Sequence, residues 1–180
     1  MTILSLNECA LFWDSASPEE TLRAGEILGK LLQPGDAVAL FGELGSGKTV
    51  LVRGIAAGLG CAASDVHSPS FSLINEYESS ASDGSAAGGR SRMAHVDLYR
   101  IQSEDDVPGI GWDDYCHGRY VVAVEWAERA LRWLPRDHLR VRLETLEGER
   151  RRLCVQSTGP RSGQLVRAWM AAANLSVNAT

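Results

Sequence analysis

Gly42-Glu43-Leu44-Gly45-Ser46-Gly47-Lys48-Thr49 is the stretch that most constrains this 180-residue sequence. It satisfies G-x-x-x-x-G-K-[ST] at every fixed position. The apolar run Ala37-Val38-Ala39-Leu40-Phe41 precedes it, and a small-residue helical stretch closed by Gly60 follows. Strand, glycine loop and helix, in that order, are the context of a phosphate loop. Its glycines let backbone N–H groups turn inward as an anion nest, and the helix N-terminus adds about half a positive charge. Lys48 offers an ammonium to the β- and γ-phosphates, and Thr49 offers a hydroxyl to a phosphate-bound Mg²⁺. Glu43, Leu44, Gly45, Ser46, Gly47, Lys48, Thr49 and Val50 are therefore the candidate nucleotide-binding set. A turn that is glycine-rich for steric reasons alone leaves Lys48 unexplained, because Lys30 is the only other lysine.

The rest of the chain reads as strands and helices arranged around that loop. Ser17-Pro18-Glu19-Glu20 is a helix start, with a capping serine, a proline at the first helical position and a glutamate completing the box. Ala24, Ile27, Leu28, Leu31 and Leu32 give that helix one apolar face. Phe71–Tyr77 and Met93–Arg100 predict an antiparallel hairpin, with a mobile low-complexity tip over 78–92. Ser103–His117 predicts short helical turns, Tyr120–Val124 a buried strand and Glu125–Leu134 a helix. Leu139–Leu146 and Arg151–Val155 predict a second hairpin, and Gln164–Ala173 a last helix. The sum is an α/β fold, a three-layer P-loop NTPase-type domain over 1–158 followed by a helical extension over 159–180. Its mixed sheet has a parallel core (37–41 and 120–124) and added antiparallel hairpins.

A phosphate-bound Mg²⁺ needs a carboxylate at the end of a neighbouring strand. Asp97 ends Met93-Ala94-His95-Val96, and Glu125 ends the more apolar Val121-Val122-Ala123-Val124. A site can use both acids, one in the metal's shell and one positioning the attacking water; sequence alone leaves those roles open. No Asn-Lys-x-Asp element is present, so ATP is favoured over GTP. Asp106-Val107-Pro108-Gly109 matches D-x-x-G but follows a polar run and reads as coincidence. Arg129, Arg132 and Arg136 are candidate lid arginines if the chain is instead a small-molecule kinase. A non-catalytic, nucleotide-gated binding module is the third reading.

Composition narrows the partners. Residues 1–128 hold eight basic and nineteen acidic groups, and residues 129–180 hold ten arginines and four acids. The net charge of −5 argues against a chain that wraps nucleic acid alone. The Arg-rich segment leaves contact with nucleic acid held by a partner, or with an acidic partner surface, as one reading and a solvated hairpin face as the other. No run spans a bilayer. The start lacks a basic flank, and Cys9, Cys61, Cys116 and Cys154 lie far apart, which predicts reduced thiols and a cytoplasmic, membrane-free location.

Taken together, several blocks resemble the TsaE (YjeE) family. These are Gly42–Thr49, Ser68-Pro69-Ser70-Phe71 with Asn75-Glu76-Tyr77, His95-Val96-Asp97-Leu98-Tyr99-Arg100 and Val124-Glu125-Trp126, with Glu128-Arg129 and Leu134-Pro135. The resemblance runs in order from about Ser15 to Val155. It implies an ATPase of tRNA threonylcarbamoyladenosine synthesis that cycles a complex with TsaB- and TsaD-like proteins and meets tRNA only through it. By position, it gives Lys48 and Thr49 to phosphates and Mg²⁺, and Asp97 to a Walker-B-like role. Glu125 is given to metal or water, Trp126 to the nucleotide's side, Ser70 to a γ-phosphate-sensing switch, and the Ser15–Glu20 stretch with Ser17 to the adenine. Departures are Ser70 where the family usually has Thr, Val50 where a second Thr often stands, the 78–92 insertion, and the helix after Gly159.

Overall fold

The computed structural model describes residues 11–69, 71–79, 91–116 and 118–173. Seven strands form one sheet: β1 (Leu11–Ser15), β2 (Ala37–Phe41), β3 (Ile74–Glu78), β4 (Arg92–Asp97), β5 (Val121–Glu125), β6 (Leu139–Thr145) and β7 (Arg151–Ser157). Their spatial order is β1-β7-β6-β2-β5-β4-β3. β6, β2, β5 and β4 run parallel, while β3, β7 and β1 add antiparallel at the flanks. The parallel core is thus four strands wide, because each expected hairpin gives one strand to it. The fully buried β2 and β5 lie at its centre, as suits strands covered on both faces. β1 is an addition to the expected elements: its five residues, Leu11-Phe12-Trp13-Asp14-Ser15, complete the far edge against β7.

Helices α1 (Pro18–Gly29), α2 (Lys48–Gly58) and α4 (Pro160–Ala172) cover one face. Leu28, Leu51, Ile55, Leu165 and Trp169 pack there against Val38, Leu40, Val121 and Leu139. α4 joins the same core, since Trp169 is buried and donates its indole N–H to Ala24 O at 3.0 Å. α1 and α2 cross with their backbones in contact: a Cβ on Gly54 meets Leu22 O at 2.0 Å and Gly25 Cα at 2.8 Å. The opposite face holds Ala39, Val96, Val122 and Val124 against Val107, Trp112, Ala127 and Leu134. Val107, Trp112 and Ala127 come from the 3-10 segment Glu104–Ile110, the short α3 (Trp112–Tyr115) and the 3-10 turn Ala127–Arg129, and Leu134 from the chain just beyond that turn.

Three expected boundaries are corrected. The strand expected from Phe71 begins at Ile74, because Leu73 takes φ 65°, which breaks extended pairing. The strand expected to reach Arg100 stops at Asp97, whose carboxylate accepts the Tyr99 N–H at 2.9 Å and folds the chain into an Asx-type turn. The helix expected over Glu125–Leu134 does not form. Glu125 closes β5, Trp126 sits in the left-handed region at φ 56°, and only a 3-10 turn follows. Cys116 carries a free thiol, which burial and Asp113 push up to about 12. The centre of the 78–92 insertion lies outside the described residues.

Candidate functional site

Because β2, β5 and β4 are parallel neighbours, their C-terminal ends lie side by side, the edge at which open α/β sheets bind ligands. Leu40 pairs with Glu125 and Glu125 with Asp97, so the loop and both acids share one level. Gly42 leaves β2 with φ 134°, and a Cβ there meets Leu143 O at 2.4 Å and Ser46 Oγ at 2.8 Å. Only glycine satisfies both the dihedral and the space. Gly45 and Gly47 also take positive φ, and α2 starts at Lys48 directly behind the loop.

Lys48 is buried, and its Nζ donates to Gly42 O at 2.6 Å and to Glu43 O at 2.9 Å. The ammonium also lies 4.1 Å from the Trp126 ring centroid. Burial holds it below the ordinary lysine value, while Glu125, Glu128, Asp97 and Glu43 pull the other way. Trp126 is wedged between this cation and the Tyr99 ring, 5.0 Å away. Its left-handed backbone is strain of the kind retained where surrounding contacts fix a side chain in place. Arg129 lies near the Tyr99 and Trp126 rings and donates to Ile101 O.

Thr49 Oγ1 donates to Glu125 Oε1 at 2.8 Å, joining the loop to the end of β5. The same carboxylate oxygen lies 2.9 Å from Nε2 of the fully buried His95. Asp97 is held separately: Ser68 Oγ donates to its Oδ2 and the Tyr99 N–H to its Oδ1. Lys48, Thr49, Glu125, Trp126 and Asp97 therefore converge. Ser17 does not join them, because it caps α1 through Glu20 N three strands from β2, at the same end of the sheet. Ser70 lies outside the described residues. Of the lid candidates, Arg132 is ion-paired with Glu104 and Asp105, and the helix that would have aligned the three arginines is absent.

Sequence reading assigns no role to His95 or Ser68. For His95 a signal exists, a polar residue in the middle of an apolar strand two places before a strand-end acid. For Ser68 there is none, because its partner lies 29 residues away.

The donors at this edge are oxygens of Thr49, Glu125 and Asp97, which suit a hard cation. Among the described residues no cluster of three or more His, Cys, Asp or Glu able to hold a metal is present. Mg²⁺ is usually held by one or two carboxylates with substrate phosphates and water.

The family model described as "Threonylcarbamoyl adenosine biosynthesis protein TsaE" matches residues 15–153. The chain belongs to the TsaE family. The tRNA threonylcarbamoyladenosine biosynthesis protein TsaE of Bacillus subtilis is 34% identical over 151 residues, 84% of this chain and 88% of its own. That of Treponema pallidum is 35% identical over 141 residues, 78% of this chain and 96% of its own. The crystal structure of Bacillus subtilis YdiB superposes with a TM-score of 0.71 at 30% identity, covering 91% of this chain and 96% of that one. The TsaE match takes in β2 through β6 with the loop and both acids, and ends within β7. α4 lies beyond it. No helix among the described residues is long and apolar enough to cross a membrane.

Proposed function

We propose that this chain is a Mg²⁺-dependent ATPase that serves threonylcarbamoyl modification of adenosine in tRNA by acting on partners like TsaB and TsaD. Family membership supports the pathway. The Thr49–Glu125 hydrogen bond carries the chemistry, because it ties the phosphate loop to an acid at the level where a γ-phosphate would be attacked. On this reading the backbone from Glu43 to Val50 cradles the phosphates of ATP or ADP, and Lys48 exchanges its loop carbonyls for phosphate oxygens. Bound Mg²⁺ would neutralise charge on the β- and γ-phosphates. Thr49 would hold it on the loop side, with Glu125 and Asp97 reaching it through its water shell. Glu125 orients the attacking water, and Trp126 covers the lysine. Ser70 as a phosphate-sensing switch and Ser17 near the adenine rest on the family resemblance. A cytoplasmic location belongs to the same proposal.

The deciding experiment measures ATP binding by calorimetry and phosphate release with and without the partner complex, for wild type and Lys48→Ala. A charge-assisted hydrogen bond from Lys48 to phosphate contributes about 1.5–3 kcal/mol, so binding should fall at least tenfold without it. A Lys48→Ala protein that binds and turns over ATP like the parent would end this reading. Hydrolysis stimulated by a small metabolite and not by partner proteins would favour a kinase.

A further inference from the structure

His95 occupies the centre of β4, between Ala94 and Val96 and opposite Ala123 of β5. Its side chain is fully buried. One ring nitrogen, Nε2, meets Glu125 Oε1 at 2.9 Å. The other, Nδ1, is buried without a hydrogen-bond partner among the described residues. An aliphatic residue would fill such a strand position without leaving a ring nitrogen unpaired, so packing does not account for a histidine here. What the imidazole supplies is a donor to one oxygen of one carboxylate. An ionised carboxylate only accepts, which places the ring proton on Nε2 and leaves the bare Nδ1 lone pair toward the apolar interior.

Glu125 Oε1 therefore receives two hydrogen bonds, from Thr49 Oγ1 and from His95 Nε2. No hydrogen bond to Oε2 is present among the described residues. Two donors arriving from different elements, α2 and β4, fix both the χ angles and the plane of the carboxylate. They also decide which oxygen remains to accept from water.

We infer that His95 is the positioning residue of the hydrolytic step, holding Glu125 through Oε1 so that Oε2 is the oxygen presented to the attacking water. The inference rests on the ATPase reading above. His95 does not touch the nucleotide; it acts through Glu125. Thr49 alone leaves the carboxylate free to rotate about a single anchor, and that anchor belongs to a hydroxyl the proposed metal also uses. Partners that orient a metal-site or catalytic side chain typically matter by about 10–100-fold when removed.

The test uses four full-length proteins: wild type, Lys48→Ala, His95→Leu and His95→Gln. Glutamine can place an amide N–H where the imidazole Nε2 stands, whereas leucine keeps volume and removes the donor. His95→Leu should bind ATP with Mg²⁺ within about threefold of wild type by calorimetry while kcat falls about 10–100-fold. His95→Gln should recover most of the loss. A readout free of nucleotide is the histidine ¹⁵N spectrum, in which His95 should show the Nε2–H tautomer and shift in Glu125→Gln. Where His95→Leu does not fold, His95→Asn replaces it, since the shorter amide stops short of Glu125. Parental kcat in His95→Leu, parallel losses of binding and kcat, or equal damage from leucine and glutamine would each overturn the inference. So would a His95 spectrum indifferent to Glu125→Gln. Wild type no more active than Lys48→Ala would instead defeat the ATPase reading, a result separable from all of these.

Discussion

At the scale of single residues the two acids separate by what touches them. Glu125 shares a hydrogen bond with the phosphate-loop threonine, and Asp97 is tied to Ser68 and the Tyr99 backbone. Removing the Glu125 carboxylate should therefore impair water activation more than phosphate binding, which the loop backbone and Lys48 supply. For Glu125→Ala the expected outcome is ATP affinity within a few-fold of wild type and hydrolysis slower by about 10²–10⁴-fold. Equal losses in a binding titration and a single-turnover assay would make Glu125 a structural post. That two acids stand at strand ends is legible from the sequence, since each follows an apolar run. Which of them meets Thr49 is not, because it depends on β5 lying next to β2 with β4 one strand further out, and strand order is a non-local property. Trp126 shows the same limit: a left-handed tryptophan is set by Lys48 and Tyr99, not by local preference.

Among the elements, α2 and the start of α1 are placed within a residue by capping residues and apolar spacing. α1 ends at Gly29, three residues short of the Leu32 to which that spacing carries it, and the closeness of the two helices is not visible in sequence. Gly25 and Gly29 face Gly54 and Gly58 across the crossing, and the atoms each added Cβ would strike are backbone atoms of the other helix. Alanine at 54 gains about 1 kcal/mol of helix propensity. It also forces a Cβ to 2.0 Å from Leu22 O, which no rotamer change relieves. Overpacking of this kind costs about 1–3 kcal/mol or more, so Gly54→Ala should lower the urea midpoint on balance. A raised midpoint would show that the helices can move apart. α4 offers a second case, since its expected start is Gln164 and it begins at Pro160. The cap comes from outside the helix: Asp137 accepts from the backbone N–H groups of Arg161 at 2.7 Å and Ser162 at 2.9 Å. Burial tends to raise this carboxyl, but hydrogen bonds from Ser162 and Arg161, aided by His138, hold it below the ordinary value of 3.8. A depressed carboxylate stabilises the fold above the unfolded value and loses that contribution as pH falls through the folded one. Asp137→Asn should cost about 1 kcal/mol at neutral pH, and the gap from wild type should close as pH falls below the ordinary carboxyl value of 3.8. A gap independent of pH in urea titrations would remove the charge from the account.

For the whole molecule, the division into an acidic stretch and an arginine-rich one turns out to be complementary across the fold. Arg152 of β7 forks onto Asp14 of β1 at 2.7 and 2.8 Å, and Arg132 meets Glu104 and Asp105. Arg161 of α4 forks onto Asp36, just before β2, at 2.9 and 2.6 Å. Sequence reading sets these arginines against a nucleic acid, an acidic partner surface or a solvated face, and several pair with the chain's own acids. The pairs are unequal. Asp14 and Arg152 are well exposed, so water screens them and side-chain entropy opposes them, leaving under about 1 kcal/mol. Asp36 is only 5% exposed, and it also accepts from Gln33 N, so losing Arg161 strands a charge out of water. Arg161→Met should therefore cost about 1.5–3 kcal/mol, and Arg152→Met less than about 1 kcal/mol. Both are read as urea midpoint shifts at constant m. The Arg161 loss should persist at high salt and the smaller one should fade, because ions screen surface pairs far more than buried ones. Equal, equally salt-sensitive losses would mean that Asp36 reaches water despite its burial, and that α4 is held to β2 by its apolar face alone.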